Sequence, residues 1–258
     1  MSQPVLDQLV EMSRYVGDPA REYAILGEGN TSARIDEDSF YVKASGTSLA
    51  NIGPEGFVGL SISRVTGVLD DASACDEDVT RVFKEAALDP QDRRRPSVEA
   101  MLHAVLLQIP EYAFIAHTHP VYTNIVLCSQ GAEEAAAGRL FPDQIVSMGH
   151  KSIFVPYVDP GLALARTVRT ALRAFIETEG VLPRAILMQN HGLITMGATP
   201  KAVTSCTDMA EKASRILVGT YALGGPHFMT PEHVERIFTR PDEAYRLKSI
   251  AGPSQAGR

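Results

Sequence analysis

The sequence has 258 residues, 45% of them hydrophobic, and a formal net charge of -7. This length predicts one domain over residues 1–258, because no linker-like stretch divides the chain. The acidic balance argues against a nucleic-acid partner, and three scattered cysteines argue against a disulfide framework. The N-terminal segment lacks a secretory pattern and no apolar run is long enough for a bilayer, so we expect a cytoplasmic protein with no membrane partner.

The first 60 residues predict one helix, two turns of small residues and two strands. Apolar residues recur at helical spacing over residues 5–16, and strands are predicted at residues 40–44 and 57–60. The segments 27–32 (GEGNTS) and 45–48 (SGTS) are expected to be turns. Glycine with Asn and Ser can form a cradle for a phosphate or carboxylate, although such clusters are more often ordinary loops.

A helix is predicted next over residues 76–88, followed by a charged loop. This loop carries three consecutive arginines, 93–95. They could face an anionic substrate, but a run of like charges is usually solvated. We therefore leave them out of the predicted site.

The segment 96–120 holds most of the residues that can perform chemistry. Its apolar residues predict an amphipathic helix with Glu99 in the first turn, where an acid is commonly found for electrostatic reasons alone. His103 lies four residues later on the same flank, and an ordinary hydrogen-bonded pair explains it. A short strand then leads to His117 and His119, whose i, i+2 spacing places both rings on one face, about 6–7 Å apart. One metal ion can bridge such a pair.

A third metal ligand is expected further along the chain, because catalytic zinc usually takes three protein ligands. Two apolar runs flank Asn190, His191 and Gly192, which predicts a hairpin with His191 at its tip and Gly192 in a backbone conformation that favours glycine. A strand at residues 151–156 and a helix at 162–177 precede this hairpin, and a capped helix starting at Thr199 follows it.

Five segments in this order, GEGNTSAR, KASG, PSVE, HTHP and QNHG, give the sequence a family resemblance. It resembles the class II aldolase and adducin head family from about residue 6 to about residue 221, which leaves residues 224–258 as a C-terminal extension. The resemblance implies a three-layer α/β/α domain around a mixed, mostly antiparallel sheet. It also implies a homotetramer with sites shared between subunits.

The resemblance further implies roles for individual residues. His117, His119 and His191 would bind one divalent cation, most readily Zn²⁺ and alternatively Mn²⁺, Co²⁺ or Fe²⁺, while Glu99 would transfer a proton. The substrate phosphate would be held by four residues: Asn30, Ser45, Gly46 and Ser97. Two departures stand out: Val98 occupies a position where aldolases often have a second serine, and residues 131–152 contain no tyrosine to act as the acid of an aldol cleavage.

The function implied is a metal-dependent lyase that cleaves a carbon–carbon bond of a phosphorylated ketose or related sugar acid through an enediolate. The missing tyrosine keeps open a decarboxylase of a 3-oxo sugar acid. A metal-dependent oxygenase and a non-catalytic, adducin-like interaction module are more distant alternatives. In the enzymatic interpretations the partner is a small, anionic substrate.

Overall fold

A seven-stranded sheet lies at the centre of the structure, a computed structural model that describes residues 3–242. The strands are β1 (Asn30–Arg34), β2 (Ser39–Lys43), β3 (Phe57–Ser61), β4 (Phe114–Thr118), β5 (Ile153–Val155), β6 (Ala185–Met188) and β7 (Gly192–Gly197). Their order across the sheet is β3-β2-β1-β4-β7-β6-β5. All neighbouring pairs are antiparallel except β5 and β6, which are parallel. The predicted mixed, mostly antiparallel sheet is confirmed.

Helices cover both faces of this sheet. They are α1 (Gln3–Val16), α2 (Ile62–Gly67), α3 (Asp76–Ala86), α4 (Ala100–Leu106), α5 (Val121–Leu127), α6 (Ala132–Ala137), α7 (Pro142–Met148), α8 (Leu162–Glu179), α9 (Pro200–Thr220) and α10 (Pro231–Phe238). Within residues 3–242, none of them combines the length and apolar character needed to cross a membrane. Residues 243–258 of the expected C-terminal extension lie outside the described part of the chain.

Alternation of side chains along the strands produces the three layers. Ile115 of β4 belongs to the core that packs against α2, α3, α4 and α8, whereas its neighbours Phe114 and Ala116 belong to the core formed with α1 and α9. Successive residues of a strand point to opposite faces, and every residue of β4 is buried, so the strand is covered on both sides. The expected α/β/α architecture is therefore present.

The sequence interpretation was wrong for part of the first glycine-bracketed segment. Residues 30–32 are not a turn: they begin β1, which pairs with β2 on one side and β4 on the other. Their polar side chains find partners inside the protein, as in the hydrogen bond between the hydroxyl groups of Ser13 and Thr31 (2.6 Å). Asn30 and Ser32 consequently share one face of the sheet.

Helix α9 begins as predicted, with Thr199 as its capping residue. The Thr199 hydroxyl accepts a hydrogen bond from the Ala202 N–H (3.1 Å). We expect Thr199→Ala to lower the free energy of unfolding by about 1 kcal/mol, because an N–H group of the first turn loses its acceptor. Urea denaturation would measure the change. Thr199→Ser, which keeps the hydroxyl, should remain close to wild type; equal losses in both variants would contradict this explanation.

Candidate metal centre

The first two predicted ligands stand at one end of β4. His117 lies in the strand and is fully buried. His119 is the first residue after the strand, and its backbone N–H donates to the Tyr23 carbonyl (2.7 Å). Their Nε2 atoms are 3.0 Å apart. The spacing of the two histidines in the strand therefore brings both ring nitrogens to one point.

The third ligand comes from the turn between β6 and β7. His191 brings its ring centroid to 4.9 Å from that of His117 and 5.7 Å from that of His119. Asn190, with φ of 52°, is the residue that adopts the left-handed conformation in this turn. We expected Gly192 to adopt a backbone conformation that favours glycine. That expectation was wrong, because Gly192 does not have a positive φ.

Gly192 is instead required for close packing. A Cβ atom at this position would lie 2.6 Å from Cδ2 of His119 and 2.7 Å from the Thr118 carbonyl oxygen. Real Cβ contacts are essentially never that short. The absence of a side chain at Gly192 is what allows the β6–β7 turn to approach the end of β4.

Glu99 completes the cluster from the residue that precedes α4. Its Oε1 lies 3.0 Å from Nε2 of His191, and its Oε2 lies 3.3 Å from Nε2 of His117. Oε2 also accepts a hydrogen bond from Nδ2 of Asn30 (2.7 Å). Burial acts to raise the pKa of Glu99, but the neighbouring imidazoles and the Asn30 amide outweigh burial and lower this pKa below its ordinary value.

A buried chain of hydrogen bonds holds Asn30 in this orientation. His103 has no exposed surface, and burial lowers its pKa to about 3, so its ring is neutral. Its Nε2–H donates to Oδ1 of Asn30, while its Nδ1 accepts from the Ser32 hydroxyl (2.6 Å). The chain Ser32–His103–Asn30–Glu99 therefore has every donor directed toward the carboxylate.

Sequence interpretation missed this chain. It paired His103 with Glu99 because the two are four residues apart in a helical pattern, whereas the His103 ring bonds to residues of β1. The i, i+2 spacing of Asn30 and Ser32 was the available indication, since it places them on one strand face. Treating residues 30–32 as a turn concealed that indication.

Burial favours the neutral, metal-binding form of two of the candidate ligands, His117 and His119. Burial lowers the pKa of His117, and it lowers the pKa of His119 to about 4. The Nδ1 of His117 lies 3.1 Å from the Leu193 carbonyl, which accepts its hydrogen and leaves the Nε2 lone pair facing the cluster. Neutral imidazoles with inward lone pairs are the form that binds a divalent cation.

The donor set fits a single ion. The ligand atoms of His117, His119 and His191 all lie within 4.8 Å of one another. Nitrogen atoms at about 2.1 Å from a tetrahedral Zn²⁺ are separated by about 3.4 Å. Small movements of the rings would therefore close the cluster around one cation.

The predicted anion-binding residues fall into two groups. Ser45 and Gly46 are exposed in the turn after β2, and Gly46 has φ of 82°. Ser97 lies on the neighbouring segment, which is tied to β2 by the hydrogen bond from its N–H to the Lys43 carbonyl (2.9 Å). Asn30 lies beside Glu99 instead, with one hydrogen of its amide already donated.

Lys43 is not the solvated side chain that a lysine at a strand end would usually be. It is 3% exposed and its Nζ donates to the Gly27 carbonyl (3.2 Å). Burial lowers its pKa, and the charge of Glu99 acts in the opposite direction. The amino group of Lys43 is therefore held inside the protein, bonded to the glycine-rich segment and near enough to Glu99 for the two groups to interact.

The fold and the cluster together define a class of protein: an α/β protein in which three histidines that could hold a metal ion, with a glutamate beside them, meet at one end of the sheet. Residues 7–218 match the family model described as "Class II Aldolase and Adducin N-terminal domain". This match covers most of the chain. The protein belongs to the class II aldolase and adducin family.

Relatives in this family carry different activities. The chain is 29% identical over 206 residues to the uncharacterised oxidoreductase YuxG of Bacillus subtilis, a match that covers 75% of this chain and 27% of the relative. It is 25% identical over 197 residues to a 3-oxo-tetronate 4-phosphate decarboxylase of Haemophilus influenzae, covering 76% of this chain and 79% of the relative. It is 23% identical over 212 residues to a methylthioribulose-1-phosphate dehydratase of Microcystis aeruginosa, covering 78% and 92%.

Solved structures agree on the fold. An L-fuculose 1-phosphate aldolase superposes with a TM-score of 0.69 at 17% identity, covering 95% of this chain and 98% of that one. At this identity the likeness concerns the fold alone. Family and fold are thus established, and the chain spans about a quarter of the length of the Bacillus subtilis relative.

The close approach at Gly192 leads to a prediction about metal affinity. In Gly192→Ala the added methyl group would displace the His119 ring or the Thr118 carbonyl, so we expect Zn²⁺ affinity to fall by about tenfold or more. Competition with a chromophoric chelator would measure it. Gly67→Ala is the matched control, because a Cβ on that helical glycine meets nothing within 4 Å. Unchanged affinity in Gly192→Ala would contradict the argument.

The buried chain can be tested by a double-mutant cycle. His103→Leu leaves Asn30 Oδ1 and the Ser32 hydroxyl without their ring partner, so we expect the free energy of unfolding to fall by about 2–3 kcal/mol; Ser32→Ala should cost about 1 kcal/mol. The double variant should lose less than the sum, because the two side chains share one interaction. Urea denaturation supplies all three values. Strict additivity would show that the chain is not a coupled unit.

Proposed function

We propose that this protein is a divalent-metal-dependent lyase that breaks a carbon–carbon bond next to a carbonyl group in a phosphorylated ketose or related sugar acid. The observation that carries the proposal is the position of Glu99, a buried carboxylate within 3.3 Å of two of the three clustered imidazoles. A proton-transfer group beside an electrophilic centre is the combination that this chemistry requires.

The three histidines would hold the cation. Three imidazoles suit Zn²⁺ best and also accept Mn²⁺, Co²⁺ or Fe²⁺. When bound, the ion acts as a Lewis acid that polarises the substrate carbonyl and stabilises negative charge on its oxygen.

Glu99 would move the proton. Its Oε2 is fixed by Asn30, whereas its buried Oε1 has no hydrogen bond within the described residues, although Nε2 of His191 lies 3.0 Å away. Oε1 is therefore the atom that can accept a proton from the substrate and return it to the carbon left by bond cleavage. The Ser32–His103–Asn30 chain would keep the carboxylate from rotating during this transfer.

The far end of the substrate would bind to the cradle formed by Ser45, Gly46 and Ser97, with the second amide hydrogen of Asn30 directed to the same molecule. Lys43 would contribute a buried positive charge nearby. Binding energy from a remote anionic group can be used to align the reacting carbonyl. A small, anionic substrate is accordingly part of the proposal. We also propose that the protein is cytoplasmic and forms a homotetramer; light scattering on the purified protein would test the number of subunits.

A decarboxylase is the second candidate, and two observations favour it. Residues 131–152 lack the tyrosine that would exchange a proton with the oxygen of the aldehyde product, and a curated relative that matches over 79% of its length is a decarboxylase of a phosphorylated 3-oxo sugar acid. Loss of carbon dioxide needs no such acid. Glu99 would then serve only to pass a proton, taken up from water, to the carbon that carbon dioxide leaves.

One experiment separates the two candidates. The metal-loaded protein would be incubated with a panel of phosphorylated ketoses and phosphorylated 3-oxo sugar acids, with coupled assays for aldehyde and for carbon dioxide. Aldehyde release supports the aldolase and carbon dioxide release the decarboxylase. Metal-dependent turnover of neither kind across the panel would contradict the proposed lyase.

Replacement of Glu99 tests its role directly. Glu99→Gln can still accept the Asn30 hydrogen bond but removes the base, so we expect metal content to persist while turnover falls by about 10²-fold or more. Glu28→Gln is the matched control, since that carboxylate lies 3.9 Å from Nδ1 of His119, on the outer side of the ring. Its metal-loaded form should retain most of the activity. Equal activity of Glu99→Gln and wild type would assign proton transfer to another residue.

Gly46→Val tests the cradle. Its φ of 82° is costly for a β-branched side chain, and valine would also obstruct an approaching anion. We expect the folded, metal-loaded variant to lose most of the preference that wild type shows for a phosphorylated substrate over its unphosphorylated counterpart, measured as a ratio of kcat/KM values. If wild type has no such preference, the proposal that the substrate is phosphorylated is incorrect.

A further inference from the structure

A second concave site lies outside the metal centre. It is a cleft of about 620 Å³ between the edge strand β3, helix α3 and the loop over residues 87–98. Glu99 and the three clustered histidines do not line it, and Ser45 is the one residue of the proposed cradle that does. Its volume falls in the range of about 300–1,000 Å³ that is usual for small-molecule sites.

The charge of this cleft is opposite to that of the whole protein. Its lining includes four basic side chains, Lys84 and Arg93 to Arg95, and two acidic ones, Asp76 and Asp92, whereas the chain carries a net charge of -7. A local excess of positive charge over low-dielectric walls concentrates anions at that point of the surface.

Three of the four basic side chains are available for a ligand. Arg94 is bound to the Asp92 carboxylate (2.6 Å) and to the Glu55 carbonyl. Within residues 3–242, by contrast, the side chains of Lys84, Arg93 and Arg95 form no ion pair or hydrogen bond. The arginine run that sequence interpretation assigned to solvent therefore lies along the rim of a cavity.

The floor of the cleft is apolar. Val58 and Leu60 of β3 and Val79 and Phe83 of α3 form it, and Val98 at the rim is 63% exposed. A free inorganic anion would leave this apolar surface in water. A basic rim above an apolar floor matches a ligand that has both an anionic group and an apolar or aromatic body.

We propose that this cleft is a binding site for an amphipathic organic anion, such as an aromatic phosphomonoester, separate from the metal centre. The anionic group would bind to Arg93 and Arg95, and the body would lie on the β3–α3 floor. Two backbone hydrogen bonds link this loop to the cradle, Ser45 N–H to the Arg95 carbonyl (2.7 Å) and Ser97 N–H to the Lys43 carbonyl (2.9 Å). A ligand in the cleft would thus contact the segment that positions Ser97.

Calorimetric titration of the 258-residue protein with 1-naphthyl phosphate tests this site. Titrations with 1-naphthol and with inorganic phosphate, the two halves of that ligand, are the comparisons. We expect saturable binding of 1-naphthyl phosphate at one site per chain, tighter than that of either half. In Arg93→Ala/Arg95→Ala this binding should weaken by about tenfold or more, while the affinity for 1-naphthol stays unchanged. Arg173→Ala/Lys201→Ala removes the same charge from exposed positions elsewhere and should bind like wild type.

Two further variants locate the ligand. Thr80→Trp places a bulky side chain on the exposed, cleft-lining surface of α3 and should weaken both 1-naphthyl phosphate and 1-naphthol. Ser97→Ala alters the cradle and should leave 1-naphthyl phosphate binding unchanged. The proposal is overturned by absence of binding, by equal affinities in the two charge-removal variants, or by loss of binding in Ser97→Ala. None of these results depends on the lyase activity.

Discussion

The site depends on how a buried carboxylate is compensated. An unpaired ionised group inside a protein costs several kcal/mol, so Glu99 can remain charged only if its surroundings supply donors or positive charge. Asn30 supplies the donor, and His103 and Ser32 hold Asn30 in the orientation that allows it. Four side chains from two distant segments therefore form one series of hydrogen bonds that stabilises a single charge.

The antiparallel centre of the sheet brings these segments together. In the pairing of β1 with β4, Asn30 is opposite His117, and in the pairing of β4 with β7, His117 is opposite Ile194. The ladder hydrogen bonds thus fix which residues meet, and the turn before Gly192 adds His191 to the same end. Residues separated by more than 150 positions in the chain reach one point because three neighbouring strands are in register.

Much of this arrangement could be predicted from the sequence, and the omissions have physical reasons. The spacing of His117 and His119 and the hairpin at His191 are local patterns, and local patterns report strand faces and turns reliably. The strand at Asn30 was missed because its buried residues are polar and small, so no apolar alternation marks it. The need for glycine at position 192 arises from the approach of another strand, and a contact between distant segments leaves no pattern in its own neighbourhood.

The position of β1, β4 and β7 in the middle of the sheet has a consequence for motion. Each of these strands has a hydrogen-bonded neighbour on both sides, whereas β3 and β5 form the edges. Opening that exposes backbone amides to hydrogen exchange begins where the fewest bonds must break, so edges and termini exchange before central strands. The backbone that carries His117 should therefore exchange only with near-global opening, which makes β4 a rigid support for the first of the three histidines.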